Sequence, residues 1–298
     1  MTQKINFHTH TNFCDGKNTP EEIVLAAIAK GFTAIGFSSH SLGFEDLPYG
    51  KSWHIISDEK DSDSGTKNAF EKHKEYISEI RNLSEKYGDV IKIFAGFEAD
   101  YIPNVWTPAK KNYNGLEPDY LIGSVHYVFK NGYEDKNAHY SVDAATDEVK
   151  WGIELFYKND AKKAVLEYFD LQKEMIQKGD FEILGHPDLI RKRNAVLKFL
   201  NEKEEWYIET IKDFSKFISK KDLIVEINSG GIARGCMDDF YPSYQFLEFL
   251  FENKVPVLIS SDAHTAEHLD FAFDRALEQA KKIGYKELVY PCIGAVKI

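Results

Sequence analysis

The chain has no apolar run approaching the roughly 20 residues that a bilayer-spanning helix needs. It has little cysteine. Cys14, Cys236 and Cys292 are an odd number and widely spaced, so they make neither a disulfide framework nor a C-x-x-C zinc motif, and Cys14 reads as a small packing residue. Positive charge is also short: 37 Lys and Arg against 48 Asp and Glu leave a net charge of −11. With no basic stripe to neutralise a run of phosphates, nucleic-acid binding is not expected. A small phosphorylated substrate remains compatible with that sign, because bound cations and a few arginines reverse the field locally. The opening Met-Thr-Gln-Lys leads straight into a predicted strand rather than a signal peptide, and a cytoplasmic protein away from membranes is the expectation.

What is present is a pattern of alternation. Seven short apolar segments read as strands: one beginning at Ile5, then Ala34–Ser38, Val90–Phe97, Tyr120–Val125, Phe181–Leu184, Leu223–Ile227 and Val255–Ile259. Helical stretches separate nearly every pair. Thr19-Pro20-Glu21-Glu22 is a helix start and Gly31 a helix stop, a long helix covers about Asn68 to Lys86, and one or two helices lie between Asp147 and Lys178. Further helices are expected at 204–219, 244–252 and 269–282. Residues 61–65, Asp-Ser-Asp-Ser-Gly, read as an exposed loop, the stretch up to about Ala145 as a polar loop, and the C-terminus as an apolar tail. Such alternation argues for an α/β fold with a parallel sheet and crossover helices, and residues 1–298 suit a single barrel domain.

The polar residues fall at one place in this pattern. His8, His10, His40, Glu98, His126, His186, Asp262 and His264 all lie at or just past the carboxyl end of a predicted strand, and in a parallel barrel those ends share one face. His8 and His10 are two apart, so a strand presents both imidazoles to one point, with Asp15 close behind. Taken singly, His40, His126 and His186 read more simply as hydrogen-bonded structural histidines, and Glu98 as an ion-pair carboxylate. Their shared position changes this, since burying so many ionisable groups is costly unless metals or partners satisfy them. His54, His73, His139 and His268 fall outside the pattern, although His54 and His139 sit on loops that can overhang the same face.

His8-Thr-His10 with Asp15, His40, Glu98, His126, Gly185-His186-Pro-Asp and Ser261-Asp262-Ala-His264 resembles the ligand set of the PHP (polymerase and histidinol phosphatase) family of metal-dependent phosphoesterases. The resemblance runs from residue 5 to residue 264. It implies a distorted (β/α)7 barrel, similar to a TIM barrel, with up to three divalent metal ions, Zn, Fe or Mn, at the carboxyl ends of the strands. By the same resemblance one metal is held by His8, His10, Glu98 and Asp262, a second by Glu98, His126 and His186, and a third by Asp15, His40 and His264. Asp15 stands where many members of the family have histidine.

The implied chemistry is attack on phosphorus by a metal-activated water, with Glu98, Asp262 and His264 as the catalytic side chains and Asp262 or His264 handling the proton of the leaving oxygen. For the phosphate, Arg191 and Arg234 are the expected side-chain donors, chosen from the cations that follow the fifth and sixth strands, and Ser39 adds a hydroxyl beside His40. The Asn228–Gly231 turn offers backbone amides, and Tyr101, Trp106 and Tyr127 offer faces on which an imidazole can stack. Gly-His-Pro-Asp-Leu-Ile-Arg, Glu226-Ile-Asn-Ser-Gly-Gly and Tyr241-Pro-Ser243 resemble the histidinol-phosphate phosphatase branch, which implies hydrolysis of L-histidinol phosphate in histidine biosynthesis. A phosphoesterase for nucleotides or other small esters, and a non-catalytic metal-binding module, are the alternatives.

Overall fold

The computed structural model describes residues 3–41, 69–130 and 139–298. The expected loop at 61–65 and His54 lie outside the described residues. Strand β1 (Lys4–Asn6) leads through the His8–Gly16 stretch to α1 (Pro20–Ala29). The start of α1 follows from its sequence: the Thr19 hydroxyl accepts the Glu22 N–H, the Glu22 carboxylate accepts the Thr19 N–H, and Pro20 needs no donor in the first turn. Next come β2 (Phe32–His40), α2 (Ala69–Tyr87), β3 (Lys92–Asp100), β4 (Tyr120–Ser124), β5 (Tyr127–Phe129) and β6 (His139–Ser141).

Helices α3 (Thr146–Tyr157) and α4 (Ala161–Lys178) divide the expected 147–178 stretch in two. The break falls where Lys158 and Asn159 turn left-handed, with φ of 52° and 65°, before Asp160 caps α4 through the Lys163 N–H. Then follow β7 (Ile183–Leu184), α5 (Asn194–Leu197), α6 (Glu205–Ile218), β8 (Ile224–Asn228), α7 (Gly230–Ala233), α8 (Tyr244–Glu252), β9 (Val257–Ser260), α9 (Phe273–Ile283), β10 (Glu287–Tyr290) and β11 (Gly294–Lys297).

Seven strands form one parallel sheet in the order β1-β2-β3-β4-β7-β8-β9. The sheet closes toward a barrel just beyond β1 and β9, where Thr9 pairs in parallel with Ala263 and the His10 N–H donates to the Ala263 carbonyl at 2.8 Å. On the other side the Ser38 N–H donates to the Thr9 carbonyl at 2.9 Å. The histidine-bearing stretch is thus stitched between β2 and the end of β9.

Inside the barrel, Tyr120 lies across the centre with its hydroxyl donating to the carbonyls of Phe7 and Phe37. A Cβ on Gly96 would come within 2.5 Å of that ring, so β3 needs glycine there. Phe7 packs on Phe94, Tyr120 and Tyr290, which brings the C-terminal β10–β11 hairpin against the barrel core. That hairpin and the β5–β6 hairpin stand where an apolar tail and a polar loop are expected. Strands of three or four residues are too short to give a readable alternation. Among the described residues, no helix is long and apolar enough to cross a membrane.

Candidate metal centre

Thr9 spends its backbone on barrel closure, and alternation therefore turns the flanking His8 and His10 inward, where both are fully buried. Strands β2 and β3 run further than their sequences suggest and carry His40 and Glu98 within their last turns of pleat, paired in register with each other. His126, His186, Asp262 and His264 follow β4, β7 and β9. The nine side chains meet in four overlapping groups whose ligand atoms lie within 4.8 Å of one another: His8, His10 and Glu98; Glu98, His126 and His186; His10, Asp15, His40 and His264; and His8, His186 and Asp262. Glu98 stands between the first two groups, and His10 also turns toward the Asp15 group.

The spacings around Glu98 are ones that atoms sharing a cation can adopt. His8 Nε2 and His10 Nε2 are buried without a hydrogen-bond partner, and they lie 3.2 and 3.4 Å from Glu98 Oε2. His10 Nε2 is also 3.3 Å from Asp262 Oδ1. Two ligand atoms at about 2.0–2.1 Å from a tetrahedral zinc stand about 3.3 Å apart. The orphaned nitrogens and their separations therefore fit a divalent cation.

The electrostatics point the same way. Burial favours a neutral His8 ring, but Glu226, Glu98 and Asp262 outweigh it and push the pKa up to about 10. For His126, burial is likewise overridden by Asp100 and Glu98, and the pKa rises to about 10. A pocket that draws protons onto its imidazoles holds excess negative charge, which a cation satisfies better.

Two carboxylates outside the expected set support the ligands. Glu226 is fully buried: its Oε2 takes His8 Nδ1 at 2.9 Å and the Ser260 hydroxyl at 2.5 Å, and its Oε1 takes the His186 N–H at 2.7 Å and Asn228 Nδ2 at 2.8 Å. Asp100 Oδ1 lies 2.6 Å from His126 Nδ1. Each leaves the opposite ring nitrogen of its histidine as the metal-facing atom. The signal was present in the sequence, since Glu226 is a carboxylate inside an apolar strand and Asp100 lies two residues past Glu98, on the same face.

Arg234 grips Asp262 from the far side, with Nη2 on Oδ2 at 2.7 Å and Nη1 on the Asp262 carbonyl at 3.1 Å. This holds Asp262 in a left-handed conformation, φ 49°, that a non-glycine residue rarely adopts. A Cβ on Gly230 would fall 2.6 Å from Arg234 Nη2 and 2.8 Å from Asp262 Oδ2, so the Gly-Gly turn serves close approach. The ligand atoms border a cavity of about 240 Å³ lined by Asp15, His40, Glu98, His126, Asp143, Lys192, Arg234, Asp262 and His264.

The PHP domain family model matches residues 6–230. The chain belongs to the PHP domain family. Its similarity to individual PHP proteins extends over nearly the whole chain. A probable histidinol-phosphatase of Schizosaccharomyces pombe is 27% identical over 95% of this chain and 88% of its own length. The histidinol-phosphatase of Bacillus subtilis is 23% identical over 93% of this chain and 99% of its own. Among solved structures, a putative histidinol phosphatase of Listeria monocytogenes has a TM-score of 0.72 at 21% identity, covering 91% of this chain and 99% of that one. The histidinol phosphate phosphatase of Lactococcus lactis, solved with zinc, L-histidinol and phosphate, has a TM-score of 0.63 at 18% identity and covers 96% and 95%. The PHP-type barrel is thus the fold of this chain.

Other expected residues lie elsewhere. Arg191 does not line the cavity: its guanidinium is buried and bonded to Asp188, Glu202, Asp239 and the Phe240 carbonyl. Its neighbour Lys192 takes the place at the cavity wall, because the short 3-10 turn after Asp188 points successive side chains apart. Ser39 is also absent from the lining. It precedes His40 on a strand and so faces the opposite side, where its N–H meets the Tyr76 hydroxyl. Trp106 and Tyr127 join Ile102, Val105 and Phe129 in a small apolar cluster, and Tyr101 is buried in the main core. Of the remaining histidines, His73 Nε2 lies 3.0 Å from the His40 carbonyl and His139 stacks on Phe129.

Proposed function

We propose that this PHP protein, acting as one barrel unit over residues 1–298, is a cytoplasmic metal-dependent phosphomonoesterase that converts L-histidinol phosphate and water to L-histidinol and phosphate. The observation that carries the reaction class is the pair of orphaned imidazole nitrogens, His8 Nε2 and His10 Nε2, at 3.2 and 3.4 Å from Glu98 Oε2, beside a cavity with Lys192 and Arg234 on its wall. The substrate follows from length-wide similarity to proteins named histidinol-phosphatases and from the histidinol and phosphate held by the Lactococcus protein.

The nine candidate ligands would hold up to three divalent ions, Zn, Fe or Mn, and such ions, when bound, would supply positive charge to the phosphate oxygens and acidify the attacking water. Glu98 contributes an oxygen to each of two groups and sets their separation. Lys192 Nζ and the Arg234 guanidinium orient the phosphate for in-line displacement. Asp262 and His264 stand at the wall beside Arg234, where one of them would take up the proton given off by the attacking water and hand it to the departing alkoxide oxygen. His264 is suited to that exchange because burial and the neighbouring His10 hold its ring on the neutral side.

The test is phosphate release from a panel of histidinol phosphate, mononucleotides and sugar phosphates with added Zn, Mn or Fe. Histidinol phosphate is expected to give the highest kcat/KM, and His10→Ala or Glu98→Ala to lower it by roughly 100-fold or more. Preferential hydrolysis of a nucleotide would overturn the substrate and keep the chemistry. No hydrolysis across the panel would favour a binding module.

A further inference from the structure

We propose that Asp143 is the recognition group for a cationic amine on the leaving alcohol, and that it exchanges its partner Lys192 for that amine when a zwitterionic phosphoester binds. The inference rests on the phosphomonoesterase reading above and narrows its substrate class.

Four carboxylates line the cavity, and among the described residues Asp143 is the one that belongs to none of the ligand groups. It is a built feature of the wall. The Ser141 hydroxyl donates to Asp143 Oδ1 at 2.6 Å, Arg193 donates to the carbonyls of Ala144 at 2.6 Å and Asp143 at 3.2 Å, and the Val142 N–H donates to the His126 carbonyl at 2.8 Å. The β6 end is thereby tied both to a metal-ligand loop and to the loop after β7. Asp143 Oδ2 accepts Lys192 Nζ at 2.8 Å, and Lys192 is only 7% exposed.

Among the described residues, Lys192 and Arg234 are the cations on the wall; both can meet a phosphate, but Arg234 keeps two donors on Asp262 whereas Lys192 is held to Asp143 by one bond. An arriving phosphate therefore draws Lys192. Asp143 has a half-buried side chain, 26% exposed, and a carboxylate left there without its counter-ion is costly. An ester whose ammonium sits on the carbon next to the ester-bearing carbon, as in histidinol phosphate, replaces the lysine at Asp143 while the phosphate replaces Asp143 at the lysine. Both charges stay paired. An ester lacking the amine strands Asp143, and discrimination against it arises from that stranded charge as much as from any attraction the amine adds.

The test compares kcat/KM for histidinol phosphate and for 3-(imidazol-4-yl)propyl phosphate, which lacks only the amine, in metal-loaded wild type, Asp143→Asn and Lys192→Met. The wild type is expected to favour the amine ester by about 30-fold or more. Asp143→Asn should shrink that ratio to within about threefold, while Lys192→Met slows both esters and keeps the preference. A wild type indifferent to the amine, or an undiminished ratio in Asp143→Asn, overturns the proposal. Calorimetric binding of L-histidinol and of its amine-free alcohol to metal-loaded wild type saturated with inorganic phosphate, which draws Lys192 away from Asp143, provides a readout independent of turnover and of variant folding. Equal affinities overturn the proposal there too. Hydrolysis of neither ester by the wild type would instead count against the phosphatase reading.

Discussion

Glu226 does at the scale of one residue what the nine ligands do not do for themselves. Its carboxylate reaches the ring of His8 and the backbone of His186, which share a group with Asp262, and so sets both the donor atom of one and the position of the other. In Glu226→Gln the amide nitrogen would have to donate either to His8 Nδ1 or toward the His186 N–H, which already donates. The first orientation places the proton on His8 Nε2, the atom that faces Glu98, and removes it as a ligand. Glu226→Gln is therefore expected to fold and to bind metal about 10–100-fold more weakly, and once the His8 ring is titrated to its neutral form nitrogen NMR should place its proton on Nε2, where the wild type keeps it on Nδ1. Unchanged metal affinity would reduce Glu226 to a packing role.

Among the elements, Arg191 and Asp270 act as fasteners. Arg191 ties the loop after β7 to residues 239–240, ahead of α8, through a buried guanidinium that satisfies three carboxylates and a carbonyl. Arg191→Ala strands Asp188 in the interior and is expected to cost about 3–5 kcal/mol in urea unfolding, with KM of the folded enzyme unchanged. A raised KM with intact stability would return Arg191 to the phosphate. Asp270 joins β1 and α1 by accepting Lys4 at 2.9 Å and Lys30 at 2.7 Å. Partial burial raises its pKa, but the two lysines win and hold it below the ordinary value. A carboxylate depressed in the folded state adds stability that is present above the unfolded pKa and is lost as pH falls through the folded one. Asp270→Asn should therefore lower stability by about 1 kcal/mol at pH 7, and the difference from wild type should vanish once the pH drops well below about 3.9. A difference that persists in acid would mean the contact is not ionic.

The same elements show what was legible in the sequence. The seven parallel strands and the helix between most pairs could be read because each strand is an apolar run bounded by turn residues, and the capping box of α1 names its own start. The two hairpins could not be read, since β5, β6, β10 and β11 are held by pairing and packing rather than by pattern. That the nine candidate ligands would come together was legible from their common place at strand ends. Which of Arg191 and Lys192 faces the cavity was not, because a three-residue turn decides it.

For the whole molecule, the cluster couples metal, protons and stability. With His8 and His126 pushed up to about 10, the metal-free protein carries protons on both rings at neutral pH, and loading must expel them. Metal affinity should therefore rise with pH from neutrality toward 10, and calorimetry in buffers of different ionisation enthalpy should register proton release. Because the ligands come from β1 through the end of β9, bound ions join both ends of the barrel and should raise the unfolding temperature. In this reading the nine side chains hold the metals that make the protein a histidinol-phosphate phosphatase. Its most direct test is phosphate release from histidinol phosphate by chelator-stripped protein, before and after metal is returned. No release is expected from the stripped protein, with recovery on adding Zn, Mn or Fe. Release that survives stripping, or none with any metal, would contradict it.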